Sequence, residues 1–263
     1  MPRVFLTAEW RNLVMLNYAV EPSVLRSYVP AGTELDLWNG IAFVSLVGFL
    51  FANTRLLRVS VPGHRNFEEV NLRFYVRRNV DGEVRRAVTF IREIVPRAAI
   101  AFVAARAYNE PYVALPMRHE YGDVAQNGAP STVEYGWRCS NRWTNMSVRP
   151  VGSGVPAVAG SQEEFITEHY WGYTRQRDGS TFEYRVMHAP WRIWHVDDAQ
   201  LTGDLAQVYG AEFARILSGP PVSAFLADGS PVTVHAPTRL LPSRTASPDT
   251  AQSGEVPGPY LDV

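Results

Sequence analysis

Turn signals at short intervals constrain this chain most. Asn39–Gly40, Asp81–Gly82 and Asp228–Gly229 stand between apolar segments, as do Ala31–Gly32 and Asp178–Gly179–Ser180. Asn-Gly and Asp-Gly favour two-residue hairpins, because both central positions of a type I′ turn have positive φ. The flanks read as strands: 34-ELDLW-38 leads into 41-IAFVSLVGFLF-51, and 70-VNLRFYVRR-78 into 83-EVRRAVTFIREI-94. The expected fold class is α+β, mostly antiparallel β, with a few connecting helices.

The helices are expected in four places. Segment 21-EPSVLRSYV-29 has Pro22 in a first turn, and 96-PRAAIAFVAARAYN-109 has Pro at its start and Asn at its end. Ser161 to Glu164 spells a capping box ahead of 165-FITEHYWGY-173. Segment 204-DLAQVYGAEFARIL-217 has helical periodicity weakened by Gly210. No repeat or Gly/Ser linker divides the body, so residues 1–237 are read as a single domain. Residues 238–263 turn Pro/Ser/Thr-rich and are read as a disordered tail.

One strand carries more than a fold signal. In 67-FEEVNLRFYVR-77 a period of two puts Val70, Leu72, Phe74 and Val76 on one face. Glu69, Asn71, Arg73 and Tyr75 fall on the other. In an open sheet such a polar face is solvated; in a closed barrel it lines the interior. Glu69 and Arg73 are four positions apart, about 13 Å along a strand, so their side chains can converge without having to pair.

Composition narrows the chemistry. All 25 Lys+Arg residues are arginine, so the chain contains no lysine and no side-chain amine for a Schiff base. The formal net charge of -1 gives no basic excess for nucleic acid, and the arginine pairs 77–78 and 85–86 read as solvated strand ends. No apolar run approaches the roughly 18 residues of a membrane helix. The N-terminus meets charge and Trp before any signal-like region, and Cys139 stands alone, which together point to the cytoplasm. The six histidines form no ligand pattern, so no metal is expected, and no phosphate-binding glycine loop implies a nucleotide cofactor. A serine nucleophile is likewise not indicated.

The segments 10-WRNLVMLNYAVEPSVLRSYVPAGTELDLWNGIAFVSLVGF-49, FEEVNLRFYVR, 108-YNEPY-112 and 185-RVMHAPW-191, in this order, resemble the uncharacterised YqjF-like family of the acetoacetate-decarboxylase-like superfamily. The resemblance spans roughly residues 5 to 237. It implies a double-layered, cone-shaped β-barrel with the ligand inside. It also implies a departure. True acetoacetate decarboxylases carry a Schiff-base lysine after a helix and a Tyr-Pro step, with a second lysine beside it. Tyr112 and Val113 stand where those lysines are expected. Arginine stays protonated and cannot substitute.

These readings give a small-molecule-binding protein that is not a Schiff-base decarboxylase. Arg73 is expected to anchor a carboxylate or carbonyl, with Asn71, Tyr75, Tyr112 and Trp191 around the ligand. The alternative is a lysine-independent lyase, hydratase or isomerase in the same cavity, with Glu69 or His188 as general base. Glu93 and Glu110 are further carboxylates, each able to pair with Arg92 or another arginine on the surface, the commoner fate of such groups. A homo-oligomer is left open, and a protein-interaction module would instead show a filled interior.

Overall fold

The computed structural model describes residues 3–98 and 109–241. All its strands join one continuous sheet. They are β1 (Val4–Val20), β2 (Glu34–Leu35), β3 (Ala42–Leu56), β4 (Phe67–Val80), β5 (Glu83–Val95), β6 (Tyr112–Ala114), β7 (Met117–Tyr121) and β8 (Val133–Cys139). They continue as β9 (Arg142–Pro156), β10 (Trp171–Arg175), β11 (Thr181–His188), β12 (Arg192–Thr202), β13 (Ser223–Ala227), β14 (Pro231–His235) and β15 (Thr238–Leu240). The described helices are α1 (Pro22–Leu25), α2 (Gln162–Thr167) and α3 (Ala206–Leu217).

Seven strands close a ring in the order β14-β11-β10-β5-β4-β3-β1, with β14 pairing back onto β1. A second layer runs on from β1 as β13-β12-β9-β8-β7. The long β1 serves both layers. Its Val4–Glu9 end pairs β14, and its Leu13–Asn17 stretch pairs β13. The changeover coincides with a register shift around Asn12, whose φ of 52° turns the strand from one neighbour to the other. This is the mostly antiparallel, two-layered barrel expected, with β10 and β6 adding parallel contacts to β5.

The two faces of β4 both end up buried, against different partners. Val70, Leu72, Phe74 and Val76 share a core with Val133, Tyr135 and Trp137 of β8 and with Met146 and Val148 of β9. That core cements the outer layer onto the ring, each such side chain adding about 1.5–3 kcal/mol. The opposite face of the same strands meets Phe43, Phe49, Phe51, Phe67, Val88 and Trp191 inside the ring.

Local signals hold in part. Asp81–Gly82 takes positive φ at both positions and links β4 to its antiparallel partner β5. Asn39–Gly40 likewise turns the chain between Trp38 and Ile41. Asp228–Gly229 makes no hairpin: β13 and β14 both pair with β1 instead of each other. The Ser161 hydroxyl caps α2 by accepting from the Glu164 amide at 3.2 Å, as the capping box requires. The helix then stops at Thr167, short of the expected 173, because Trp171–Arg175 is drawn into the ring between β5 and β11. In α3, Gly210 leaves helical geometry at φ 78° and kinks it. The helix expected over 96–109 lies almost wholly outside the described residues. Strand β15 pairs β11, so the ordered chain passes residue 237 and reaches Leu240; the rest of the expected tail, 242–263, also lies outside them. Among the described residues no helix is long and apolar enough to cross a membrane.

The arginine pairs are not simply solvated. Arg78 and Arg85 both reach Glu183, at 3.1 and 2.7 Å, and Arg86 reaches Asp36 at 2.8 Å. They tie β4 and β5 to β11 and to the segment after β2.

Candidate functional site

The ring encloses a cavity of about 310 Å³. One part of its wall is aromatic and aliphatic, from Trp10, Phe49, Phe51, Phe67, Phe90 and Trp191. The other part is polar, from Glu69, Asn71, Arg73, Glu93, Glu110, Tyr112, His169 and His188. The polar face of β4 therefore points inward, because its opposite face is held against the outer layer.

Glu69 is 3% exposed. Its carboxyl accepts from Asn71 Nδ2 at 2.9 Å and from the Tyr112 hydroxyl at 3.0 Å. Burial outweighs these bonds and pushes its pKa up to about 7. Arg73, from two turns of the pleat further along, lowers it, but no ion pair joins the two. Arg73 is 8% exposed, donates from Nη2 to the Ile166 carbonyl at 3.3 Å, and leaves Nε without a partner.

Tyr112 sits on β6 directly beside Glu93 of β5, and Glu93 is paired on its other side with Asn71 of β4. The three side chains thus form one row across three strands. Burial first, then the charges of Glu110 and Glu69, pushes Glu93 well above the usual carboxylate range. Glu110 accepts from the Thr174 hydroxyl and from the Tyr184 hydroxyl, the latter at 3.0 Å. Burial raises it to about 7. Glu93 and Glu110 do not take the commoner fate of surface pairing: they are 2% and 7% exposed and line the cavity. Two features hid Glu93 in the sequence. A bulge pairs Leu72 with Arg92 but Arg73 with Phe90, so Glu93, Phe90 and Val88 all face inward despite broken alternation. Glu110, ahead of Pro111, lies outside any strand period.

His169 was not singled out from the sequence. It follows α2, is 6% exposed, and has no hydrogen-bond partner on either ring nitrogen. Asp36 lies 3.9 Å from Nε2, too far for a hydrogen bond. Burial lowers its pKa to about 4, so it is neutral at ordinary pH. His188 ends β11, its ring stacked between Tyr170 at 4.8 Å and Trp191 at 4.5 Å. Its nitrogens face the carbonyls of Ala189 and His169, and burial lowers its pKa too. Trp191 lines the cavity with its indole nitrogen bonded to Ser230 Oγ at 3.0 Å.

Tyr75 is placed differently from the other expected residues. It does not line the cavity; its ring packs on His169 and Phe165, and its hydroxyl meets Ser45 Oγ at 2.6 Å. Ser45 continues to Asn17 and Asn17 to Ser223, a buried polar string that stitches β4, β3, β1 and β13 together. Among the described residues no group of three or more His, Cys, Asp or Glu side chains is placed to hold a metal ion.

A two-layered ring around a cavity of this kind is an acetoacetate-decarboxylase-like fold. The acetoacetate decarboxylase of Legionella pneumophila superposes with a TM-score of 0.61 over 91% of this chain and 88% of its own, at 12% identity. The enduracididine biosynthesis enzyme MppR, complexed with pyruvate, gives 0.61 over 92% of each chain at 14% identity. An acetoacetate decarboxylase-like enzyme from Sphingomonas wittichii RW1 gives 0.61 over 90% and 92% at 12% identity. At these identities the likeness is one of fold. In sequence, residues 7–231 match the family DUF2071, described as an uncharacterized conserved protein, and the chain belongs to that family. It is 27% identical over 192 residues to the uncharacterized protein YqjF of Bacillus subtilis (strain 168), covering 72% of this chain and 74% of that one.

Proposed function

We propose that this protein binds a small organic molecule inside the barrel and does not act as a Schiff-base decarboxylase. The observation that carries this reading is a set of buried polar atoms without partners on one cavity wall: Arg73 Nε, Asn71 Oδ1, Glu93 Oε2 and both nitrogens of His169. A buried polar atom left unpaired costs about 1–3 kcal/mol, so such a wall suits a site that a ligand completes. Arg73 and neutral His169 offer donors to a carboxylate or carbonyl, while the aromatic wall covers an apolar body. The MppR complexes, one with pyruvate and one with its condensation product, support a ligand of oxo-acid type on this fold. With no lysine in the chain, that ligand is held without a covalent bond to a side-chain amine. A cytoplasmic setting is part of the proposal, since a lone cysteine offers no disulfide framework.

A second reading, proton-transfer catalysis by a lyase, hydratase or isomerase, is favoured by one observation. Glu69 titrates at about 7 inside the cavity, where a carboxyl can both take and give a proton.

Native mass spectrometry of the purified protein tests the main reading. The expected result is one retained small molecule, or one bound from a panel of oxo acids and carbonyl compounds, and its loss in Arg73→Met. A chain that carries nothing and binds no member of the panel overturns it.

A further inference from the structure

Two of the unpartnered atoms on that wall are acceptors, and they are neighbours. Asn71 and Glu93 are a direct cross-strand pair of β4 and β5, which sets their Cβ atoms about 5 Å apart on one face. Asn71 Oδ1 and Glu93 Oε2 both lack a donor, although each residue is only 2% exposed. The orientation of the Asn71 amide is fixed by its Nδ2, which donates to Glu69. Glu110 lies close enough for its charge to push the Glu93 carboxyl up.

Among the described residues the donors seen on this wall are neutral: Asn71 to Glu69, Tyr112 to Glu69, and Thr174 and Tyr184 to Glu110. Arg73, the one arginine lining the cavity among the described residues, donates to the Ile166 carbonyl and makes no ion pair with the three glutamates. The wall therefore has carboxyls in excess, which stay neutral in the empty site by keeping their protons, and among the described residues no positive partner of its own. The three glutamates are not placed to hold a metal ion. What fits is a compact group with several N–H donors and a positive charge, beside aromatic rings that suit an apolar body and attract cations.

We infer that Asn71, Glu93 and Glu110 form a subsite for a protonated nitrogen, an ammonium or amidinium, carried by a ligand with an aromatic or aliphatic body. This rests on the proposal that the cavity binds a small molecule, and it narrows the class. With Arg73 and His169 on the same polar wall, the ligand has an amine at one place and an acceptor at another, as in an amino-acid-like molecule.

The charge balance gives the inference a signature. The titratable and charged groups lining the cavity are His64 ahead of β4, Glu69 and Arg73 of β4, Glu93 of β5, Glu110 and Tyr112 at β6, His169, and Tyr184 and His188 of β11, with Thr174 of β10 bonded to Glu110. Burial keeps protons on the carboxyls near neutral pH, so an arriving cation displaces a proton. Binding of an amine should therefore release protons and tighten as pH rises through about 7.

Isothermal titration calorimetry with 2-phenylethylamine, 2-phenylethanol and phenylacetate, at slightly acid pH in buffers of different ionisation enthalpy, tests this. The amine should bind at least about tenfold more tightly than the alcohol, from charge-assisted bonds. Its heat should change with buffer in the sense of proton release. Glu93→Gln and Glu110→Gln should each lose the preference for the amine while keeping the native circular dichroism spectrum. Proton release by the unaltered protein decides the matter if a variant does not fold. An amine that binds no better than the alcohol, or that releases no proton, overturns the subsite. Binding of phenylacetate or the alcohol alone overturns it while leaving the small-molecule reading intact, and binding of none of the three counts against both.

Discussion

At the residue scale, Glu69 and Tyr112 show how one position changes what a cavity can do. Tyr112 occupies a place where the resemblance calls for an amine, and its hydroxyl donates to Glu69 instead of attacking a ketone. Burial and the nearby glutamates push its own pKa well above the ordinary tyrosine value, so it remains a proton donor. Glu69, which accepts that hydrogen bond, is the proton carrier of the proposed catalytic reading. If the catalytic reading is right, Glu69→Gln should cut turnover of the natural substrate about 10²–10⁴-fold, the range of general acid–base catalysis, while binding persists. Steady-state kinetics beside calorimetry makes that check; unchanged turnover removes Glu69 from the chemistry.

At the element scale, the short strand β10 is where local propensity yields to the ring. Its sequence, Trp171–Arg175, follows a well-capped helix and has no turn signal before it, yet it fills the gap between β5 and β11. Gly172 makes the fit possible. It is paired with Tyr184, and a β-carbon there would collide with the tyrosine ring that donates to Glu110. Gly172→Ala should therefore destabilise the fold by about 1–3 kcal/mol, the usual cost of overpacking. It should also loosen the Tyr184–Glu110 bond. Urea unfolding measures the first effect, and a variant as stable as the parent would show that the ring moves aside freely. The same scale explains why the place of Glu93 is not legible in its own segment. Its inward direction depends on a bulge and on which strands flank β5, and neither is encoded in the period of its own segment.

At the scale of the whole molecule, buried acids and a buried histidine give stability an opposed dependence on pH. Glu69 and Glu110 have pKa values raised from 4.5 to about 7, so the native state holds protons that the unfolded chain releases. Their contribution is full below about 4.5 and is lost as pH rises through about 7, with Glu93 extending the loss further. His169 has its pKa lowered from 6.5 to about 4, so its contribution is full above 6.5 and is lost as pH falls towards 4. Asp36 and Glu68, held below their usual range, add to the acid-side loss. Calorimetric melting should thus show a maximum on the slightly acid side of neutrality and a falling Tm from there to about pH 8. Glu93→Gln should flatten that alkaline decline. A Tm that rises steadily with pH would contradict the buried, proton-holding cluster.

What the sequence determined by itself was local. Alternation in β4 separated Val70, Leu72, Phe74 and Val76 from Glu69, Asn71 and Arg73, because successive side chains on a strand point to opposite faces. Asp81–Gly82 set the β4–β5 hairpin, Ser161 capped α2, Gly210 marked a kink, and the sequence offered no lysine side chain. Which polar face is inside was decided only by closure. β14 returning to β1 completes the ring, and the outer layer covers the apolar face, so the polar one has nowhere to go but inward. Closure also brought Glu110 and His169, distant in the chain, to the cavity wall beside Glu93 and Arg73. Burial then shifted the protons of Glu93, Glu110 and His169, and burial is a property of the assembled barrel that no single segment carries.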